Sequence, residues 1–284
     1  MSSAEWTLME FVRWTAEFFK QHDVPQARLD AEMLLAHVLG GSRMDLYTGF
    51  DKPLGEADRA RFRELVRRRA KERVPVAYLT EQREFWSLAL RVTPQVLIPR
   101  PETETLVRVA LDQKPRRVLE IGVGSGCISA ALARELPAVE IVAVDVSAGA
   151  LALARENLAA LGVGERVALV QADGLRELVG SFDLVVSNPP YVPSAELARL
   201  APELRHEPAL ALDGGPDGLA LIRRLCADAP ARLERPGAIA LEIGAGQADA
   251  VSELLRAAGA AEVELTEDLA GIPRVALGRF AERA

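Results

Sequence analysis

The sequence predicts an α/β protein: a doubly wound, mostly parallel sheet preceded by a small helical bundle. Three observations lead there. From residue 116 onward, short apolar runs alternate with segments of helical period, the pattern of parallel strands joined by crossover helices. The first 72 residues carry helical periodicity instead. Between the two regions lie a strand-like alternation and several prolines.

In the first region, Leu8, Phe11, Val12, Thr15, Phe18 and Phe19 recur at helical spacing, and His22-Asp23-Val24-Pro25 breaks the helix. Trp6, Trp14, Phe18 and Phe19 are expected to be core. Leu29, Met33, Leu34, Ala36, His37 and Val38 form a second stripe, closed by Gly40-Gly41. A third helix begins near Glu56, with Phe62, Leu65 and Val66 inward and an arginine-rich outer face expected to be solvated. Residues 1–72 are read as a helical domain for substrate recognition and 73–99 as a linker. In the linker Leu88, Leu90 and Val92 share one face of a strand or hairpin. Pro99 and Pro101 stiffen its end, and Glu102-Thr103-Glu104 opens a helix with acidic residues in the first turn.

Residues 100–284 are read as the ligand-binding domain. Strands are expected at 116–121, 140–146, 166–173, 182–188 and 237–244, and helices near 127–136, 147–161, 217–233 and 247–258. Ser147 suits an N-cap and Gly162 a C-cap. Two further strands close the chain. The long Pro/Gly-rich stretch 192–216 fits a loop that covers a site.

Composition narrows the function. The chain has 284 residues, 49% hydrophobic and 26% charged, with a formal charge of −7. That describes a globular protein with a substantial core and a poor general nucleic-acid binder. The two cysteines lie far apart and the three histidines show no ligand spacing, so no zinc site, other metal site or disulfide framework is implied. No signal peptide or membrane-spanning run is evident. A cytoplasmic monomer that avoids membranes and forms no stable nucleic-acid complex is expected.

The first strand of the second region ends in Gly122-Val123-Gly124-Ser125-Gly126, just ahead of a helix N-terminus. Glycines allow a tight turn and close approach of the backbone to a ligand, and the helix end favours an anionic group. The dinucleotide spacing G-x-G-x-x-G would need a third glycine where Cys127 stands. The spacing found, G-x-G-x-G, favours S-adenosylmethionine. Asp145, ending the second strand, can hold two ribose hydroxyls of either cofactor. Asp173, followed by Gly174, is either an adenine or ribose contact or a turn residue. A fourth strand ends in Asn188-Pro189-Pro190-Tyr191. Prolines stop strand pairing, so this is either a rigid turn or a catalytic loop.

V-L-I-P-R-P-E-T-E (96–104), V-L-E-I-G-V-G-S-G-C-I (118–128), V-D-V-S-A-G-A-L-A-L-A-R-E-N-L (144–158) and F-D-L-V-V-S-N-P-P-Y-V (182–192) together resemble the class I methyltransferases. More closely they resemble the HemK/PrmC family, which methylates the side-chain amide (N5) of a glutamine in peptide chain release factors. E-P-A-L-A-L-D-G-G-P-D-G-L (207–219) and L-E-I-G-A-G-Q (241–247) extend the likeness over most of the chain. The relatives that modify a ribosomal-protein glutamine typically carry R-S-P where this chain has Arg100-Pro101. One departure is Glu81, where the family often has glycine. It bears on a local turn.

The resemblance implies a Rossmann-like domain with S-adenosylmethionine held by Gly122, Val123, Gly124, Ser125, Gly126, Asp145, Asp173, Gly174 and Asn188. The side-chain oxygen of Asn188 and the carbonyl of Pro189 would accept the two N–H groups of the glutamine amide. Pro190 would help fix the loop, and Tyr191 would offer a flat face. Arg100 and Glu102 either wall the pocket or belong to a segment that only connects the domains and caps a helix, while Glu242 either faces the pocket or is solvated. Any planar sp² amine would suit the same four residues, so an adenine-N6 methyltransferase is an alternative, as is a ribosomal-protein glutamine methyltransferase. A binding module without turnover is the non-enzyme alternative.

Overall fold

Among the described residues, five helices build the N-terminal region: α1 (Leu8–Lys20), α2 (Ala27–Leu39), α3 (Arg43–Thr48), α4 (Glu56–Lys71) and α5 (Val76–Thr80). The computed structural model describes residues 6–175 and 178–282. Thr7 and Glu10 cap α1 reciprocally, and Ser42 and Asp45 do the same for α3. These caps satisfy backbone N–H groups that a helix start leaves unpaired. Neither α3 nor α5 is foreshadowed by a stripe of apolar residues, because each is too short to show a period. α5 ends at Glu81, which takes the left-handed conformation at φ +52°.

Phe19, Leu34, Leu35 and Leu46 are fully buried in this region. The outer face of α4 is not uniformly solvated. Arg69 is buried, its guanidinium 2.7 Å from Asp30 and 2.9 Å from Glu203. Arg73 meets the same Glu203 at 2.7 Å. Accordingly the chain divides into Met1–Gln82 with Ala201–His206, and Arg83–Leu200 with Glu207–Ala284.

The second unit opens with the hairpin of β1 (Gln82–Phe85) and β2 (Leu88–Arg91). Both turn residues, Trp86 and Ser87, have positive φ, the requirement of a two-residue turn that follows the strand twist. Glycine would adopt this more easily. Trp86 is instead held by hydrogen bonds from its N–H to Glu104 and from its indole to Glu135. After α6 (Thr103–Asp112) come β3 (Arg117–Ile121), α7 (Cys127–Glu135), β4 (Glu140–Asp145), α8 (Ala148–Ala160), β5 (Val167–Gln171) and β6 (Phe182–Ser187). Then follow α9 (Ala220–Asp228), β7 (Leu233–Glu242), α10 (Ala248–Ala257), β8 (Glu262–Glu267) and β9 (Pro273–Phe280).

The seven-stranded sheet has the order β5-β4-β3-β6-β7-β9-β8. The first five are parallel, and β9 joins antiparallel to β7 and β8. The central strands are apolar along nearly their whole length because helices cover both faces. Two layers of core result, one around Leu106, Ile128 and Leu132 and the other around Phe182, Ile222 and Leu255. β7 starts at Leu233, ahead of the start expected at 237, and runs through Pro236. Its pairing with β6 is irregular at that end, and such irregularity accommodates a residue with no N–H to give. Among the described residues no helix is long and apolar enough to cross a membrane.

Candidate active site

Two loops leave neighbouring strands side by side. Ile121 of β3 pairs with Ser187 of β6, so Gly122 and Asn188 emerge next to each other. On the other flank of β3, β4 ends at Asp145. The connections diverge at β3, and ligands of open α/β sheets sit in the crevice at such a point. A cavity of about 370 Å³ lies there, lined by Gly122, Val123, Gly124, Ser125, Asp145, Asp173, Gly174, Asn188 and Pro190.

The glycine loop needs its glycines for two different reasons. Gly122 and Gly124 have φ of +81° and +52°, and a Cβ on either would meet no protein atom within 4 Å. Side chains there would stand in open space beside the cavity. Gly126 also has φ +81°, but its Cβ would come within 3.3 Å of the Ala154 side chain. It therefore lets α8 pack close, and it does not line the cavity. Asn157, buried on α8, donates to the Ser125 and Arg91 carbonyls at 2.8 and 2.9 Å and accepts from Arg91 N at 2.8 Å. It ties the loop to the β2 strand. Sequence reading passed over it as one polar residue in a helix.

The Asp145 carboxylate accepts from Gly124 N at 3.0 Å and Ser147 N at 2.9 Å. Asp173 sits at the exposed rim, its side chain 2.9 Å from Arg224, and Gly174 follows at φ +88° beside the same guanidinium. Glu120 also lines the cavity, although the sequence reading gave it no role. One of its oxygens takes a hydrogen bond from Ser129, while Oε1 has no partner among the described residues. Burial pushes this carboxyl up to about 8, against the pull of Ser129. A charged residue within an apolar strand is the signal that points to it.

The opposite wall is the segment before α6, including Gln95, Leu97 and Arg100. The buried carboxylate of Glu207 clamps it, accepting from Ile98 N at 3.0 Å and pairing with Arg100. Arg100 thus belongs to the wall. Glu102 does not line the cavity and is exposed.

The residues of N-P-P-Y do not all face one way. Asn188 and Pro190 line the cavity, Pro189 is buried, and Tyr191 rests on Gly244. Residues before proline are held extended, and alternate side chains of extended chain face opposite ways. Tyr191 is pushed up to about 12 by burial. Gly214 and Gly218 leave room for this loop. A Cβ on Gly214 would come within 2.7 Å of the Pro190 carbonyl oxygen, and one on Gly218 within 2.3 Å of that of Tyr191. Gln247 donates to the Tyr191 carbonyl at 3.0 Å. Asn188 Nδ2 donates to the Thr103 hydroxyl at 3.1 Å. Glu242 is not solvated but buried at the end of β7.

In the first unit Trp6 and Trp14 are not core. They are 43% and 51% exposed and line a groove of about 740 Å³ with Phe11, Phe18 and Phe62, rimmed by Arg63 and Lys71. Trp14 stacks on Phe18 with centroids 5.3 Å apart. Aromatic spacing alone does not distinguish such a cluster from a core.

Residues 10–80 match the PrmC N-terminal domain and residues 101–215 the methyltransferase small domain. The fold resembles a crystal structure of a methyltransferase from Pyrococcus furiosus, with TM-score 0.54 and 19% identity over 69% of this chain and 90% of that one. A release factor glutamine methyltransferase of Geobacter sulfurreducens is 45% identical over 97% of each chain. One of Rhodopirellula baltica is 44% identical over 95% of each. Identity at this level along almost the whole length of both proteins means that the chain belongs to the release factor glutamine methyltransferase family.

Proposed function

We propose that the protein transfers a methyl group from S-adenosylmethionine to the side-chain amide nitrogen (N5) of a glutamine in peptide chain release factors. The observation that carries this reading is the shared cavity of the glycine loop and Asn188, which leave adjacent strands. The family relationship supplies the substrate class.

The donor set suits a cationic ligand with a sugar. Glu120 Oε1 is an orphaned buried acceptor in the cavity wall, and Asp145 stands at the end of β4. Gly122 and Gly124 leave room where any side chain would intrude. Glu120 would face a positive group, Asp145 the ribose hydroxyls, and Asp173 and Gly174 the rim. S-adenosylmethionine supplies an electrophilic methyl group on a sulfonium sulfur.

The chain's task is then positioning. A carboxamide nitrogen is a weak nucleophile because its lone pair is delocalised into the carbonyl. Asn188 Oδ1 and the Pro189 carbonyl would accept its two N–H groups and fix the amide plane. Both acceptors gain strength as positive charge builds on nitrogen, so they favour the transition state over the ground state. Pro189 and Pro190 hold the backbone rigid, and Tyr191, resting on Gly244, braces the loop. The helical unit would grip the protein substrate, with the Trp6–Trp14 groove as its contact surface. Trp14→Ala should then raise KM for release factor several-fold with kcat unchanged, as loss of uniform binding requires.

The test is transfer of labelled methyl to purified release factor, to a release factor with the glutamine substituted, to ribosomal protein and to RNA or DNA. Label only on the intact release factor supports the reading. Label on nucleic acid or on the substituted factor overturns it.

A further inference from the structure

Two cations line the cavity, and each is met by a carboxylate: Arg100 by Glu207 and Arg224 by Asp173. The lining acids Glu120 and Asp145 are held differently, by a serine hydroxyl and by backbone N–H groups, with no ion pair among the described residues. The two cation pairs differ in depth. Arg224 and Asp173 are exposed, and water and salt screen such a pair. The Glu207 side chain is 1% exposed, and it accepts from Ile98 N at 3.0 Å as well as pairing with the Arg100 guanidinium. Glu207 itself does not line the cavity. Arg100 makes no other ion pair among the described residues, although Glu242 and Arg83, one of each sign, lie within electrostatic reach of it.

We infer that Glu207 is a positioning residue that locks Arg100 into the cavity wall and cancels its charge, so that the wall can face a sulfonium. The inference rests on S-adenosylmethionine being the methyl donor. An uncancelled guanidinium on the wall would repel that cationic ligand. It would leave almost untouched the neutral thioether that remains once the methyl group has gone. Charges act over several ångströms where little water intervenes, so the pair sets the preference for donor over spent product without Glu207 touching either. Removing one member of a buried pair strands the other. Loss of Glu207 makes the wall more positive, and loss of Arg100 makes it more negative. The two losses therefore act with opposite sign. This gives the arginine of P-R-P-E-T-E a role: it fastens the wall, and its charge is spent on Glu207.

The experiment is calorimetric binding of S-adenosylmethionine and of S-adenosylhomocysteine, the neutral product, to the full chain at low salt. The proteins are the unaltered chain, Glu207→Gln, Arg100→Gln and the double variant. Glutamine matches Glu207 in size and can still accept from Ile98 N. Glu207→Gln should weaken the donor relative to the product by roughly threefold to thirtyfold. Arg100→Gln should shift that ratio the other way, and the double variant should return it to within about twofold of the unaltered value. Added salt should shrink both shifts. A pair needed only for the shape of the wall would weaken both ligands alike. Equal weakening of the two ligands, shifts of the same sign in the two single variants, or a ratio not restored in the double variant overturns the inference while the functional reading stands. Should Glu207→Gln fail to fold, the sign of the shift in Arg100→Gln decides alone. Failure of the unaltered protein to bind either ligand overturns the functional reading and the inference with it.

Discussion

The two loops that meet at the cavity are built on opposite principles. The one after β3 is made of glycines at positive φ, with open space where side chains at Gly122 and Gly124 would be. The one after β6 is made of prolines, clasped by Gly214 and Gly218 so closely that no Cβ fits between them. The first lets backbone approach a ligand, and the second holds one side chain, Asn188, in a fixed place. The contrast divides the labour: methyl-donor binding on the glycine side and acceptor positioning on the proline side.

Breaking the proline side should have the largest effect. Asn188→Ala should lower kcat by about 10²–10³-fold, the scale for losing one preorganised group aimed at developing charge, as measured by steady-state transfer to release factor. On the glycine side, Gly124→Val adds both a positive-φ strain and a side chain over the cavity. It should weaken methyl-donor binding by about tenfold or more, a cost of roughly 1–2 kcal/mol for a β-branched residue at left-handed φ.

Glu120 sharpens the comparison through pH. Its carboxyl is pushed up to about 8 by burial, from an ordinary 4.5. A cationic ligand needs the carboxylate, so affinity for the methyl donor should rise as pH rises toward 8, and binding near neutrality should release a proton. Calorimetry in buffers of different ionisation enthalpy reads that proton directly, and Glu120→Gln should abolish it. The sign for stability is opposite. The folded protein keeps a proton that the unfolded chain has lost above 4.5, so Glu120 costs nothing below that pH and lowers stability progressively between 4.5 and about 8. Denaturant melts of the unliganded protein at several pH values should show Glu120→Gln losing less over that interval.

The smallest effect separates functional from incidental positive φ. Glu81 holds φ +52° at the end of α5, a conformation that glycine adopts with less strain. Glu81→Gly should stabilise the protein by up to about 1 kcal/mol without altering kcat, as chemical denaturation and a transfer assay would report.

Much of this arrangement was legible from the residues alone. Alternating apolar runs located the parallel strands, and three glycines after the first of them located the cavity, because both signals are local. What escaped was tertiary. Trp6 and Trp14 read as core beside Phe19 in the sequence, but only packing decides that Phe19 is buried and the tryptophans line a groove. Arg69 looked like one cation on a solvated face until Asp30 and Glu203 met it. Asn157 and Glu242 gain their meaning from partners 32 and 66 residues away in one case and from the lack of partners in the other. Gly126 and Gly122 look equivalent in sequence, yet one serves helix packing and the other the cavity.

The division of labour is tested most directly by dissociation constants for S-adenosylmethionine, measured by calorimetry on Asn188→Ala and Gly124→Val side by side. The account predicts that Asn188→Ala binds within about twofold of the unaltered protein while Gly124→Val binds at least about tenfold more weakly. Equal weakening in both, or weakening confined to Asn188→Ala, would contradict it.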